Sequence, residues 1–308
     1  MKQLYFDVHL HGFYGAYYEN PHACQSSVIL LLGEDVDNYM VKTGVHWLHR
    51  RGLNVLVMAP SETACGYFSF PLERFGLAID WLKNRGNQRF GIVGASATAA
   101  IAMLAASYYP DLTLTLCISP CDFVMEGFHR DHLDGAWERP ADGRSIVTWQ
   151  GMNLPYVPYA YRHPEYCRKL DEEAKQTGNL VASRQMFDRS ELLHPVTDAE
   201  AIKVEKIRGR LLLCGAEDDC LWDTCRYIRR ICQRLRTHAG KCRCKAFLYP
   251  VGTHFLAPQS MVRTALPVAA DLIVLPFRAG RKDLIGCRDS RRDQDARLIR
   301  ELEAWIQE

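Results

Sequence analysis

Three short segments of this sequence carry the residue types that nucleophilic acyl transfer requires. Ser96 lies within Gly94-Ala95-Ser96-Ala97-Thr98, between a short apolar run and an alanine-rich one. An acidic turn with Asp218 and Asp219 follows later in the chain, and His254 comes after it. A serine hydroxyl attacks an acyl carbon when a base takes its proton, and a carboxylate orients the imidazole that serves as this base. The order serine, acid, histidine therefore predicts a serine nucleophile with a histidine base.

The segment around Ser96 has the pattern of a sharp turn between a strand and a helix. Residues 90–93 are a short apolar strand, and a helix is expected directly after the serine. In α/β-hydrolases this turn, the nucleophile elbow, exposes the serine oxygen above the sheet. The usual motif is G-x-S-x-G, and Thr98 here replaces its last glycine, so we expect either a slightly opened turn or an elbow that has lost its catalytic role. A second interpretation is that Ser96 only caps the helix.

The acid and the histidine are expected at the same edge of the sheet as the serine. Both follow a predicted strand, and ligands of parallel sheets bind at the carboxyl ends of the strands. Asp218 is favoured as the acid because it stands third after Gly215, where the strand is expected to end. Asp219 is the alternative acid.

The oxyanion hole is expected to use two backbone N–H groups. One belongs to Ala97, and the other is assigned to Glu34, in the loop after the apolar strand at residues 27–33. The carboxylates of Glu34 and Asp35 would oppose a developing negative charge, so both are expected to turn away from the site.

Alternation of apolar strands with helices predicts an α/β-hydrolase fold, with a mostly parallel central sheet and helices on both faces. The strands are expected at residues 3–11, 27–33, 54–60, 90–93, 112–118, 210–215 and 245–249, and the helices at 38–51, 71–84, 164–175, 223–238 and 291–307, with one after Ser96. Residues 119–206 contain no apolar strand run and are rich in proline, charge and aromatic side chains. We therefore expect a single catalytic domain, residues 1–308, with a lid inserted at about 120–206. The alternative is a surface excursion with no role in binding.

Composition limits the partners. A net charge of +2 does not indicate nucleic acid or an anionic membrane, and the longest apolar runs are too short to cross a bilayer. The twelve cysteines form no C-x-x-C pair, and we see no secretory signal, so reduced thiols in a cytoplasmic protein are expected. We expect no metal and no cofactor, and a small-molecule acyl substrate as partner. A homo-oligomer is compatible with the sequence.

Several stretches, spread over most of residues 25–260, resemble a known family. The resemblance rests on the GASAT elbow at Gly94–Thr98, the Phe70–Leu82 helix, Ile202–Ile207 before the strand Leu211-Leu212-Leu213-Cys214-Gly215, the acidic pair with Trp222, and Leu248-Tyr249-Pro250 through His254. This pattern is similar to the C-terminal catalytic domain shared by acyl-CoA thioesterases and bile acid-CoA:amino acid N-acyltransferase, particularly to short bacterial members.

The resemblance carries expectations for the site. In the family the acid stands three residues before the tryptophan, which corresponds to Asp219, whereas the spacing from the glycine corresponds to Asp218. Members with serine at the elbow hydrolyse thioesters, and members with cysteine transfer the acyl group to amino acids. Ser96 therefore implies hydrolysis.

The leading prediction is a serine hydrolase that cleaves an ester or a thioester, acyl-CoA included, through an acyl-enzyme. One alternative is an oligopeptidase-like peptidase, which shares the fold and the triad. The other is a non-catalytic binding protein of the same fold, which would tolerate Thr98.

Overall fold

The computed structural model describes residues 3–22, 25–63, 65–132 and 136–308. Its strands follow the apolar runs of the sequence. Fourteen occur within the described residues: β1 Gln3–Phe6, β2 Tyr14–Tyr18, β3 Ser26–Leu31, β4 Asn54–Ala59, β5 Gly66–Tyr67, β6 Phe70–Pro71, β7 Arg89–Ala95, β8 Leu112–Ile118, β9 Glu126–His129, β10 Arg139–Ser145, β11 Val147–Trp149, β12 Met152–Asn153, β13 Arg210–Ala216 and β14 Arg243–Tyr249.

Eight of these strands form the central sheet, in the order β1-β2-β4-β3-β7-β8-β13-β14. Strand β2 runs antiparallel to β1 and β4, and every pairing from β4 to β14 is parallel. Parallel strands are buried on both faces, which explains their continuous apolar runs. The predicted fold class is confirmed.

Helices cover both faces of the sheet. Ten α-helices occur in the described part of the chain: α1 Val8–His11, α2 Tyr39–His49, α3 Glu73–Asn84, α4 Ala97–Tyr108, α5 Glu165–Thr177, α6 Arg184–Leu193, α7 Thr224–Thr237, α8 Gln259–Ala265, α9 Arg278–Lys282 and α10 Leu284–Gln307. Helices α3, α4 and α7 contribute to one apolar cluster, and α2, α8 and α10 to the other. The sheet therefore has a hydrophobic core on each side.

A long insertion separates β8 from β13, although these strands pair directly. It contains β9 to β12, α5, α6 and a 3-10 turn at Val204–Lys206. Its strands form two small sheets, β10-β9-β5 and β12-β11-β6, which recruit β5 and β6 from the segment before α3. The insertion spans residues 119–209, from the end of β8 to the start of β13. Short strands occur there even though the sequence contains no apolar strand run.

The opening strand is shorter than predicted. It ends at Phe6, because the carboxylate of Asp7 accepts hydrogen bonds from the N–H groups of His9 and Leu10 and so starts α1. The chain then turns at Gly12 (φ 78°) and returns as β2, which the sequence analysis did not predict. No disulfide joins two of the described cysteines, and Cys24 lies outside the described residues.

Candidate active site

Ser96 stands at a sharp turn between β7, which ends at Ala95, and α4, which begins at Ala97. Its φ is 59° and its ψ −133°, and its side chain makes no capping hydrogen bond to the helix. A positive φ is uncommon for a residue with a Cβ and stores strain. The helix-cap interpretation of Ser96 therefore has no support in the geometry, whereas the strained turn is the one that exposes a nucleophile above the sheet.

Gly94 makes the close approach of strand and helix possible. A methyl group on Gly94 would lie 2.3 Å from the carbonyl oxygen of Thr98. Thr98 itself is buried, and its hydroxyl lies 3.0 Å from the N–H of Ala95 and 2.8 Å from the carbonyl oxygen of Leu31, at the end of β3. The β-branched residue is thus accommodated by hydrogen bonds across the turn, and the elbow is retained.

His254 follows β14 on a loop that returns to the elbow. Its Nε2 lies 2.8 Å from Ser96 Oγ, and the side chain is buried. Gly252 permits the loop to cross the end of β13, since a Cβ there would lie 2.8 Å from the Cβ of Ala216. The hydroxyl of Ser96 can therefore donate to the imidazole.

Asp219 approaches the other side of the imidazole. Its two carboxylate oxygens lie 2.9 and 2.8 Å from His254 Nδ1. A carboxylate can only accept here, so Nδ1 carries the proton and Nε2 is free to accept from Ser96. This arrangement links hydroxyl, imidazole and carboxylate in one chain of hydrogen bonds.

Asp218, which the sequence analysis preferred as the acid, is not in this chain. It is exposed, whereas Asp219 is buried. The offset was counted from Gly215 as the end of the strand, but β13 continues through Ala216. One additional residue in the strand shifts the inward position from Asp218 to Asp219, so the geometry favours the alternative.

Asp219 is held by its own turn. Its Oδ1 accepts from the backbone N–H of Leu221 at 2.9 Å, and its Oδ2 accepts from the hydroxyl of Thr224. Trp222 packs edge-on against the His254 ring, with 4.8 Å between the centroids. These contacts fix the acid and the imidazole relative to each other.

Ser119 joins three parts of the site and is missed by the sequence analysis. It follows β8, is buried and has a φ of 50°. Its hydroxyl donates to the carbonyl oxygen of His254 at 2.8 Å, and its own carbonyl accepts from Trp222 Nε1 at 3.2 Å. Its position directly after a strand is the signal that could have identified it. Thr224, also missed, carries no comparable signal.

The two expected oxyanion donors lie at the ends of adjacent strands. Ala97 begins α4, and Glu34 is in the loop after β3, whose Leu31 pairs with Gly94 of β7. Among the described residues, no hydrogen bond uses the backbone N–H of Ala97 or of Glu34. The Glu34 carboxylate accepts from Arg130 at 2.9 Å.

Within residues 3–22, 25–63, 65–132 and 136–308, no cluster of histidine, cysteine, aspartate or glutamate is arranged to hold a metal ion. In the same ranges, no helix combines the length and the apolar character needed to cross a membrane.

A family model described as BAAT / Acyl-CoA thioester hydrolase C terminal matches residues 70–261, which is more than half of the chain. The match covers the elbow, the acidic turn and the histidine loop. No match was found among curated proteins.

Solved structures with a similar fold include three hydrolases. MGS-M1, an α/β-hydrolase from a Medee basin deep-sea metagenome library, is 12% identical, with a TM-score of 0.57 over 100% of this chain and 99% of its own. The esterase Pf2001 of Pyrococcus furiosus is 13% identical, with a TM-score of 0.49 over 96% of this chain and 88% of its own. The carboxylesterase Cest-2923 of Lactobacillus plantarum WCFS1 is 12% identical, with a TM-score of 0.48 over 99% and 96%.

The similarity to MGS-M1 shows the fold, and the family match covers the segments that form the site. The chain belongs to the BAAT / acyl-CoA thioester hydrolase C-terminal family, and it is an ester or thioester hydrolase of the α/β-hydrolase fold.

Proposed function

We propose that the chain hydrolyses a carboxylic thioester or ester through an acyl-enzyme on Ser96. In this proposal His254 is the general base and Asp219 is the carboxylate that orients it. The observation that supports it most is the chain of hydrogen bonds from the strained Ser96 through His254 to Asp219, with distances of 2.8 Å on each side of the imidazole. Asp218 remains a less favoured acid because its side chain is exposed.

In the first half of the reaction, Ser96 Oγ attacks the acyl carbon while its proton passes to His254 Nε2. The carbonyl oxygen becomes an oxyanion, for which we assign the backbone N–H groups of Ala97 and Glu34 as donors. The imidazolium, stabilised by Asp219, then protonates the leaving group as the tetrahedral intermediate collapses. The acyl group is left as an ester on Ser96.

In the second half, water attacks the acyl-enzyme with His254 again as base, and the acid product leaves. An oxygen ester reacts less readily with amines than a thioester does, so an acyl group on Ser96 is less prone to transfer to an amine. This chemistry agrees with the serine at the elbow and favours hydrolysis over transfer of the acyl group to an amine.

Coenzyme A is one thiol that such a thioester would carry, as the family name suggests. Its phosphates need cations. The insertion contains the basic residues Arg144, Arg162, Arg168 and Lys169, of which Arg162, Arg168 and Lys169 are paired with carboxylates. Arg144 instead lies over the ring of Phe68. Three of these four cations are therefore already paired with carboxylates, so these residues do not by themselves support a coenzyme A leaving group.

We also propose that the insertion at about 120–206 acts as a lid on this site within one catalytic domain. Its position between β8 and β13 supports this role, because both strands end at the edge of the sheet where Ser119 and Asp219 lie. Insertions at this edge contact whatever binds there.

Labelling with a fluorophosphonate tests the triad. Wild-type protein should label, and Ser96→Ala should not. Asp219→Asn should slow labelling by about a thousandfold, because the wrong imidazole tautomer is then stabilised, whereas Asp218→Asn, the matched control, should remain within about twofold. A folded wild-type protein that does not label would overturn the proposal, and a larger effect at Asp218 would exchange the two acids.

A substrate panel then identifies the reaction. We expect turnover of p-nitrophenyl esters and of acyl thioesters. Thioester cleavage is monitored by release of the free thiol, and the rate measured with Ser96→Ala is subtracted as background. Cleavage of aminoacyl anilides with esters untouched would favour the peptidase alternative instead.

A further inference from the structure

We propose that Arg130 and Tyr67 are positioning residues that hold the backbone N–H of Glu34 in the oxyanion hole. The inference rests on the proposed function and assigns a role to side chains that lie outside the hydrogen-bond chain of Ser96. Both residues lie at the small sheet β10-β9-β5. Tyr67 is in β5, and Arg130 directly follows β9.

The loop after β3 lies next to the elbow. Leu31, the last residue of β3, pairs with Gly94, and its carbonyl oxygen lies 2.8 Å from the hydroxyl of Thr98. Gly33 is exposed and has a φ of 89°, a conformation that a residue with a Cβ rarely adopts. A short exposed loop of this kind needs external contacts to hold one N–H in a fixed direction.

Tyr67 provides the first contact. Its hydroxyl donates to the carbonyl oxygen of Gly33 at 2.8 Å, and the ring is buried against Phe70 and Phe128. The Gly33 carbonyl and the Glu34 N–H belong to the same peptide unit and point in opposite directions, because the unit is planar and trans. A hydrogen bond to the carbonyl therefore fixes the direction of the N–H.

Arg130 provides the second contact. Its Nη1 donates to the Glu34 carboxylate at 2.9 Å. The other side of the guanidinium donates to Glu138 at 3.1 Å from Nε and 2.8 Å from Nη2. One guanidinium thus connects the loop after β3 to the insertion.

The network continues into the proposed lid. Tyr166, a buried residue of α5, donates its hydroxyl to the second oxygen of Glu138 at 2.6 Å. Hydrogen bonds therefore connect α5 to Glu34 through Glu138 and Arg130. A carboxylate close to an oxyanion would oppose catalysis unless a cation balanced it. Burial raises the pKa of Glu34, and the positive charge of Arg130 acts against that rise.

The test compares Arg130→Met, Arg130→Lys and Tyr67→Phe with wild-type protein on a p-nitrophenyl ester. Loss of oxyanion positioning should lower kcat and kcat/KM together by about tenfold to a hundredfold with KM unchanged, because the contact acts in the transition state. Arg130→Lys should recover part of the loss because it keeps the charge.

Two further measurements separate positioning from general structure. An alkyl trifluoromethyl ketone bonds through its carbonyl carbon to Ser96 Oγ while the serine proton passes to His254, so it forms the oxyanion itself; its Ki should rise by the factor by which kcat/KM falls. In a double-mutant cycle, Arg130→Met with Glu34→Gln should lose no more activity than Arg130→Met alone.

Arg210→Met is the matched control, since Arg210 also joins two carboxylates, those of Glu301 and Glu308, but lies at the start of β13, the end of this strand away from Asp219. It should leave kcat within about twofold. Unchanged kcat and Ki in both Arg130→Met and Tyr67→Phe would overturn the inference while wild-type labelling at Ser96 kept the proposed function intact. If Arg130→Met does not fold, Tyr67→Phe decides, because it removes one hydroxyl. A wild-type protein that neither labels nor turns over would overturn both.

Discussion

Two serines with positive φ lie at the carboxyl ends of neighbouring strands. Ser96 follows β7 with a φ of 59°, and Ser119 follows β8 with a φ of 50°. The N–H of Ser96 donates to the carbonyl oxygen of Ile118 at 2.8 Å, so the two turns are joined. Each such conformation costs about 1–3 kcal/mol and persists where the surroundings fix it. Of the six described non-glycine residues with a positive φ, Ser96 and Ser119 are thus two that form hydrogen bonds with His254.

Two substitutions of Ser119 distinguish the effect of its hydroxyl from the effect of its strained backbone. Ser119→Ala and Ser119→Gly both remove the hydrogen bond to the His254 carbonyl, so both should slow fluorophosphonate labelling by about tenfold. Glycine tolerates the positive φ, so Ser119→Gly should unfold at a higher urea concentration than Ser119→Ala. Ser107→Ala, which removes a helix hydroxyl on α4, is the control for labelling. Wild-type labelling rates in both Ser119 variants would show that the hydroxyl does not position His254.

At the residue scale, the sequence predicts which segments lie close together more reliably than it predicts which atoms are in contact. The glycine-containing loop of His254 and the order of the three segments were sufficient to predict that the three segments lie at one edge of the sheet. The choice between Asp218 and Asp219 depended on where β13 ends, and that boundary is set by pairing with β14 up to Tyr249. Strand ends determined by a neighbouring strand cannot be counted from local sequence.

Among the elements, α7 connects the acid to the insertion. It begins directly after the acidic turn, and Asp223 caps it by accepting from the N–H of Arg226. Further along, Arg230 binds Asp122 and Glu191, and Arg234 binds Glu205. The basic face of α7 therefore anchors both ends of the insertion through ion pairs.

Glu205 tests this anchoring through pH. Burial would raise its pKa, but the two hydrogen bonds from Arg234, at 2.6 and 2.8 Å, lower it below its usual value. A lowered pKa means that the ionised group stabilises the fold above the unfolded-state pKa and that this contribution is lost as the pH falls through the folded-state pKa. Glu205→Gln should thus lower the free energy of unfolding by about 1 kcal/mol near neutral pH.

The difference between Glu205→Gln and wild type, measured by urea denaturation, should stay constant from about pH 7 to about pH 5 and shrink as the pH falls below about 4. Glu303→Gln, at an exposed position of α10, should show no such pH-dependent gap. A gap for Glu205→Gln that stays constant with pH would mean that the ionised pair is not what stabilises this region.

The elements of the central sheet were largely predictable, and those of the insertion were not. Strands β4 and β8 and helix α7 agree with the predicted ranges to within two residues, because their apolar patterns reflect burial. Strands β5 and β6 have two residues each and exist through pairing with β9 and β11, far along the chain. Such pairings leave no local pattern.

For the whole molecule, α10 holds the sheet from the face opposite α4. Trp305 is buried, its indole N–H donates to the hydroxyl of Thr113 at 3.0 Å, and its ring packs against Gly91 in β7. A Cβ at Gly91 would lie 3.3 Å from the ring and 3.2 Å from Leu114, so these neighbours would have to shift by a few tenths of an ångström. The strand that carries the elbow is therefore supported by the last helix.

Trp305→Ala should lower the free energy of unfolding by about 3–5 kcal/mol, because it leaves a cavity under β7. Ile285→Ala, an exposed apolar position on the same helix, should change it by less than about 0.5 kcal/mol. Urea denaturation, followed by far-ultraviolet circular dichroism rather than by tryptophan fluorescence, measures both free energies of unfolding. Equal effects of the two substitutions would contradict the assigned role of α10.

The pairing of β8 with β13 has a consequence for how the chain folds. Ile118 lies beside Cys214 in the sheet, yet residues 119–213 separate them in the chain. The entropy of closing a loop grows only with the logarithm of its length, and a doubling costs about 0.6 kcal/mol. The pairing of β8 with β13 can therefore tolerate changes in the length of the intervening segment at a small cost in loop-closure entropy.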